Sequence, residues 1–174
     1  MLRLFVGIGL PPELKLRLSM LASGVPGAKW VDPGNYHLTL RFIGEVDEGQ
    51  AADIDAALAR IHAPSFDLTL AGIGHFGLRQ LWVGVARNQA LQHLHEKIDS
   101  AINRLGFMPD EHRYTPHVTL ARLKRPSEAR LQIYLAEHGL FSAAPFAVQH
   151  FSLIASYLTK SGSIYEDQQD YGLG

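Results

Sequence analysis

An α+β fold, built as a bilobal, pseudo-symmetric duplication with largely antiparallel sheets, is what this 174-residue chain predicts. Helical and strand patterns interleave, yet several strands follow one another with no helix between them, which points to antiparallel rather than parallel pairing. A repeated string adds the duplication: His37-Leu38-Thr39-Leu40 and His117-Val118-Thr119-Leu120 occupy comparable strands in the two halves. No low-complexity linker divides the chain. Residues 1–174 are therefore expected to form one domain of two lobes, each with one copy of the string.

Taken in order, residues 3–8 read as a buried strand rich in β-branched and aromatic side chains. Pro11-Pro12 opens a helix to about residue 22, with Leu14, Leu18 and Leu21 on one face. A loop and a short extended piece at Trp30-Val31 lead to a strand over 37–43. Asp47 and Gln50 form a capping box for a helix striped by Ile54, Leu58 and Ile61. Strands are expected at 66–73 and 81–85. A helix over 90–105 follows, with Leu91, Leu94, Ile98, Ile102 and Leu105 inward and Gly106 closing it. A loop containing Pro109 precedes the strand 117–123, a helix over 127–137, and two last strands over 147–156 and 164–170.

Composition narrows the function classes. A hydrophobic fraction of 47% and a charged fraction of 19% suit an ordinary globular protein, and a net charge of −1 argues against coating long nucleic acid by charge alone. Without cysteine, the chain has no disulfides, no thiolate metal site and no cysteine nucleophile. One basic residue, Arg3, precedes an apolar run over 4–10 that stops at Pro11-Pro12 with no small-residue cleavage site. That pattern reads as a first strand rather than a signal peptide, and no stretch is long enough to span a membrane. A cytoplasmic monomer with no obligate protein partner is the default expectation.

With nine histidines in the chain, chance alone supplies His-x-Thr-Leu on the order of a few hundredths of a time, so two copies demand an explanation. In a strand, alternate side chains share a face. His37, Thr39 and Arg41 would then lie together, as would His117 and Thr119, each set backed by an apolar layer. Arg41 falls four residues after its histidine but Arg122 falls five after, so Arg122 joins its set only if a bulge or strand end turns it. Imidazole titrates near neutrality, letting one histidine act as base and the other as acid. Threonine hydroxyls can donate to phosphate oxygens and guanidinium can steady their charge. A cyclic phosphate can be opened by water this way without a metal or cofactor. A lone His-x-Thr is more often structural, its imidazole satisfied by a neighbour; the duplication weighs against that reading here. His62, His93, His95, His112, His138 and His150 read as surface or packing residues, and His75 as a turn residue.

The chain resembles the RNA 2′,3′-cyclic phosphodiesterase (2′-5′ RNA ligase-like) family of the 2H phosphoesterase superfamily. The resemblance rests on RLFVGI at 3–8, HLTLRFIGE at 37–45, Phe76-Gly77, LWVGV at 81–85, PHVTLAR at 116–122, Ser152-Leu153 and the stretch 162–165. It covers nearly the whole chain with spacing preserved. It implies a central cleft between the lobes and a metal-free mechanism in which His37 protonates the departing 3′ oxygen and His117 takes a proton from water. Thr39 and Thr119 would hold the phosphate, and the product would be a 2′-phosphate, with reversible 2′-5′ RNA ligation as a companion activity. The partners implied are RNA ends or small cyclic phosphate nucleotides.

Beyond the phosphate, Arg41, Arg122 and Phe42 are the candidate substrate contacts. Phe42, Trp30 and Tyr36 could stack a base, although apolar alternation already accounts for Phe42 as packing. Arg113, Lys124 and Arg125 could attract the RNA backbone or be solvated charges. Two other functions compete: a cyclic phosphodiesterase acting on a small nucleotide metabolite, and an RNA-end-binding module with little chemistry. A metal-dependent hydrolase is disfavoured because His-x-Thr supplies too few ligands.

Overall fold

A computed structural model covers residues 1–174. Its elements run β1 (Leu2–Gly9), α1 (Pro12–Ser19), β2 (Ala28–Trp30), β3 (His37–Val46), α2 (Glu48–Ala59), β4 (Phe66–Leu68), β5 (Leu70–Phe76), β6 (Gln80–Val85), α3 (Gln89–Arg104), β7 (His117–Leu123), α4 (Glu128–His138), β8 (Phe146–Val148), β9 (His150–Thr159) and β10 (Gly162–Gly172). No helix is long and apolar enough to cross a membrane. Two expected single strands are each divided. The 66–73 strand separates into β4 and β5 and the 147–156 strand into β8 and β9, because β4 and β8 leave the main sheet to pair with each other.

The main sheet is antiparallel in every pairing, in the order β10-β9-β1-β3-β7-β6-β5, with β2 beside β7. Its midline lies between β3 and β7, where the two motif strands pair through Leu38 and Val118. The two sides then match residue by residue. Along β1, Gly9, Ile8, Gly7, Val6 and Phe5 face His37, Leu38, Thr39, Arg41 and Phe42. Along β6, Gly84, Val83, Trp82, Leu81 and Gln80 face His117, Val118, Thr119, Ala121 and Arg122. Each motif strand carries a β-bulge at the same place, Leu40 in one and Leu120 in the other, where the register skips a residue. The β1-α1-β3-α2 order of the first half recurs as β6-α3-β7-α4 in the second. This is the bilobal duplication that the repeated string predicts.

Local signals start and stop the elements where the sequence indicates. The Asp47–Gln50 capping box closes reciprocally, Gln50 N–H donating to Asp47 Oδ1 at 2.7 Å and Asp47 N–H to Gln50 Oε1 at 3.0 Å. Asn88 and Ser127 cap α3 and α4 with one bond each, accepting from Leu91 N–H and Arg130 N–H. Leu91, Leu94, Ile98 and Ile102 of α3 are buried against the sheet, at about 2 kcal/mol for each side chain removed from water. They join Leu14 and Leu18 of α1, Ile54 and Leu58 of α2, and residues of both motif strands in one core cluster. Leu131 and Tyr134 of α4 close a smaller cluster with Leu81, Ala121 and Leu123.

The bulge overturns one expectation. Simple alternation places Arg41 beside His37 and Thr39, but the extra residue turns Arg41 to the helix side, where it is 5% exposed, and turns Phe42 outward. The Arg41 guanidinium is fully engaged there. It donates to Asp99 Oδ1 at 2.6 Å and Asn103 Oδ1 at 2.9 Å on α3, to Met108 O at 2.7 Å in the loop before β7, and to Phe42 O at 3.2 Å. Arg41 is thus a clamp between the bulge, α3 and that loop rather than a phosphate contact. Replacing it leaves the Asp99 carboxylate and a loop carbonyl without their donor. Arg41→Leu is expected to lower unfolding free energy by about 3 kcal/mol, measured by urea denaturation; a loss below about 1 kcal/mol would show that the clamp is dispensable.

Candidate active site

Two features deliver each motif histidine in the same pose. Asp32 Oδ1 accepts from Gly34 N–H and caps a 3₁₀ turn over Pro33–Asn35, and the chain enters β3 from that turn. In the second half Pro116 favours extended backbone at Thr115, just ahead of β7. In both places the histidine turns its Nδ1 back to the carbonyl two residues earlier: His37 to Asn35 O at 3.1 Å and His117 to Thr115 O at 2.7 Å. A carbonyl only accepts, so Nδ1 carries the proton and Nε2 of the neutral ring presents a lone pair. Asn35 is itself tied down, its amide donating to Ser163 O at 2.6 Å.

Pairing of Leu38 with Val118 in antiparallel register sets each histidine toward the other strand's threonine. A central recess of about 140 Å³ is lined by His37, Thr39, Thr119, Gln80, Arg122 and Tyr165. It adjoins a cleft of about 590 Å³ that shares Thr39 and Gln80 and adds His117, Phe42, Phe76, Arg79 and Arg113. On its other side a groove of about 470 Å³ runs past Arg122 and Tyr165 to Lys29. A larger groove of about 720 Å³ lies away from all of this, between α2 and α3, and contains neither motif.

The second bulge resolves the register of Arg122. Leu120 and Ala121 are both buried, so Arg122 emerges on the face of His117 and Thr119 and lines the recess. Phe42, at the equivalent place in the first strand, is 54% exposed in the outer cleft, with the Arg3 guanidinium 5.3 Å from its ring centroid. Trp30 and Tyr36 are packing residues by contrast: Tyr36 is buried, and Trp30 leans on Tyr134 with ring centroids 6.0 Å apart. Arg113 borders the outer cleft, whereas Lys124 and Arg125 line none of the three spaces just described.

Aromatic rings wall both imidazoles. Phe5 and Tyr165 stand edge-on to His37 at 6.2 and 5.6 Å, and Phe76 and Trp82 flank His117 at 5.1 and 5.7 Å. Burial among them disfavours the charged ring and lowers both pKa values from 6.5, opposed in each case by the backbone carbonyl on Nδ1. At His37, Lys15 adds to the lowering and Asp167 works against it. His95 is a packing residue, stacked on Tyr114 at 3.7 Å, and the Tyr114 hydroxyl donates to Thr39 O at 3.1 Å, which steadies the strand beneath the site.

Sequence reasoning missed Gln80, Tyr165 and Tyr114. Gln80 and Trp82 alternate with the fully buried Leu81 and Val83, so a polar residue on the cleft face of that strand was a readable signal. Tyr165 and Tyr114 come from β10 and from a loop, which only the fold brings near.

His37, both threonines and Arg122 line the recess and His117 lines the cleft that adjoins it, a grouping whose chemistry suits a phosphoester. Comparison with known proteins agrees. Residues 12–158 match the 2′-5′ RNA ligase superfamily. The chain is 38% identical over 159 residues to an RNA 2′,3′-cyclic phosphodiesterase of Aeropyrum pernix, covering 87% of this chain and 89% of that one. It is 33% identical over 175 residues to the protein of that name from Thermotoga maritima, covering 95% and 92%. Among solved structures, E. coli LigT complexed with 3′-AMP superposes with a TM-score of 0.84 at 28% identity, over 99% of this chain and 98% of that one. The chain belongs to the 2′-5′ RNA ligase superfamily and, within it, to the RNA 2′,3′-cyclic phosphodiesterase family.

Because both rings are held the same way, NMR titration of the histidines is expected to give midpoints below 6.5 for both His37 and His117. A midpoint above that value for either would mean that its burial is not the dominant influence.

Proposed function

We propose that this chain hydrolyses 2′,3′-cyclic phosphates at RNA ends to 2′-phosphates, with His37 and His117 as acid and base and no metal in the reaction. The observation that carries this reading is the mirrored pose of the two rings: each spends Nδ1 on a backbone carbonyl, which leaves Nε2 for proton transfer. The activity named for the A. pernix and T. maritima relatives supports the same choice of substrate.

In this mechanism water attacks phosphorus and gives a proton to His117 Nε2 while protonated His37 donates from Nε2 to the 3′ oxygen. The new bond is P–O(water) and the broken one is P–O3′; proton exchange with solvent then resets both rings. Thr39, Thr119 and Arg122 hold the non-bridging oxygens, whose charge the guanidinium offsets in a half-buried setting. Phe42, exposed in the outer cleft, offers a face for the terminal base. With a 5′-hydroxyl in place of water and the same two roles, the site would join a 2′,3′-cyclic end to that hydroxyl through a 2′-5′ bond, forming P–O5′ and breaking P–O3′, but bulk water favours hydrolysis.

A short RNA with a 2′,3′-cyclic phosphate, incubated with the protein and a chelator and followed by phosphorus NMR, is expected to convert wholly to the 2′-phosphate. A 3′-phosphate would reverse the seating of substrate between the histidines; no conversion by folded protein would sink the reading. His37→Ala and His117→Ala are each expected to lower kcat by about 10²–10⁴-fold with folding intact.

The pH profile follows from the lowered pKa values. The base must be neutral, so kcat/KM falls as pH drops through the lowered pKa of His117. The acid must be charged, so it also falls as pH rises through the lowered pKa of His37. A bell with its maximum on the acid side of 6.5 is expected; an optimum well above neutrality would contradict this assignment.

A further inference from the structure

Along the strands that flank the two motifs, β1 and β6, the halves are alike at each paired position but two: Gly7 is answered by Trp82, and Phe5 by Gln80. The second difference is chemical. Where Phe5 offers His37 the edge of a ring, Gln80 offers His117 an amide. Its Nε2 lies 3.4 Å from His117 Nε2 and donates to Thr119 Oγ1 at 2.5 Å.

We infer that Gln80 breaks the symmetry of the site: before substrate enters, its amide N–H groups hold His117 as the neutral ring and orient the Thr119 hydroxyl for donation, and the attacking water displaces the long amide contact from the Nε2 lone pair. The first part follows from Nδ1 being committed to Thr115 O, which leaves a lone pair on Nε2 for the amide to meet. A protonated His117 would turn an N–H against an N–H, so the contact favours the unprotonated ring. The second part follows from oxygen geometry. With one lone pair of Thr119 Oγ1 taken by Gln80, its single hydrogen points elsewhere, into the recess that both residues line. His37 has no such donor; the flanking strand brings it only the Phe5 ring, and β10 the Tyr165 ring. The sequence string alone gives no reason for one histidine to be the base. Gln80 gives one, and makes it a positioning residue that acts through His117 and Thr119.

Charged groups also face His117. Arg79 from the β5–β6 turn, with Asp110, His112 and Arg113 from the loop before β7, border the same cleft. His95, Asp99 and the largely buried Arg41 line the same cleft, and Arg122 follows on its own strand opposite Gln80. All of these stay in place when Gln80 is exchanged for a neutral residue, so a change in His117 titration isolates the amide.

The inference rests on the proposed two-histidine hydrolysis for its consequence, but its structural content can be read without activity. Gln80→Met keeps length and neutrality and removes the donor. In ¹⁵N-histidine-labelled protein, with the His117 signal assigned from its loss in His117→Ala, Gln80→Met is expected to raise the His117 midpoint by about half a pH unit and leave His37 unchanged. In parallel, kcat is expected to fall at least about 10-fold with KM altered far less, and the acid limb of kcat/KM to move up with the His117 midpoint. Gln80→Glu, which accepts rather than donates, is expected to raise the His117 midpoint by more than about one unit. A His117 titration in Gln80→Met identical to wild type would overturn the inference, whatever the rate does, as would equal shifts at His37 and His117. Should wild-type protein leave the cyclic phosphate intact while Gln80→Met still shifts His117, the hydrolytic reading would fail and the role of Gln80 would stand.

Discussion

Everything at the site hangs on one backbone pairing, Leu38 with Val118, at the midline of the main sheet. Two strands that meet antiparallel through their second motif residues must present their first and third residues in crossed order. Each histidine then sits toward the other strand's threonine, and a small polar recess opens where the halves join. Leu38 and Val118 are both fully buried, so the pairing is backed by the core rather than by the recess it creates. The polar motif residues lie on the open side of a joint whose strength lies beneath it.

Bulges at Leu40 and Leu120 are the second constraint. An added residue lets each strand turn two consecutive side chains into the interior, and what it buries differs between the halves: Arg41 in one, Ala121 in the other. Burying a guanidinium is tolerable only with full pairing, and Asp99, Asn103 and the Met108 and Phe42 carbonyls provide it. The same bulges put Phe42 and Arg122 on the open face. An aromatic surface on one side of the recess and a cation on the other follow from two backbone irregularities, not from extra motif residues.

Duplication makes the halves alike, and catalysis by an acid and a base requires them to differ. The backbone treats both imidazoles identically, a carbonyl on Nδ1 and aromatic walls around the ring. Their difference comes from the neighbouring strand, Phe5 on one side and Gln80 on the other. A near-symmetric scaffold can thus give its two histidines different neighbours by what a flanking strand offers, while the motif itself stays constant.

The sequence by itself determined the α+β class, the four helices to within a few residues, the duplication, and the pairing of two histidines with two threonines. Those features are local: helical stripes, caps and strand alternation are written in side-chain period and in a few capping residues. Arg41 shows where such reading ends, since strict alternation assigns it to the site and a bulge withdraws it. Bulges leave no periodic trace until the partner strand's register is known. Division of two expected strands at Thr69 and Gln149 was equally hidden, because β4 and β8 find their partner only across the fold. Gln80 and Tyr165 reach the motif histidines from far along the chain, and Asn35, two residues from His37, is anchored by the equally distant Ser163. Only the tertiary structure decided which polar atoms face one another, because hydrogen-bond partners are chosen by sheet order and register, and neither is a property of a local segment.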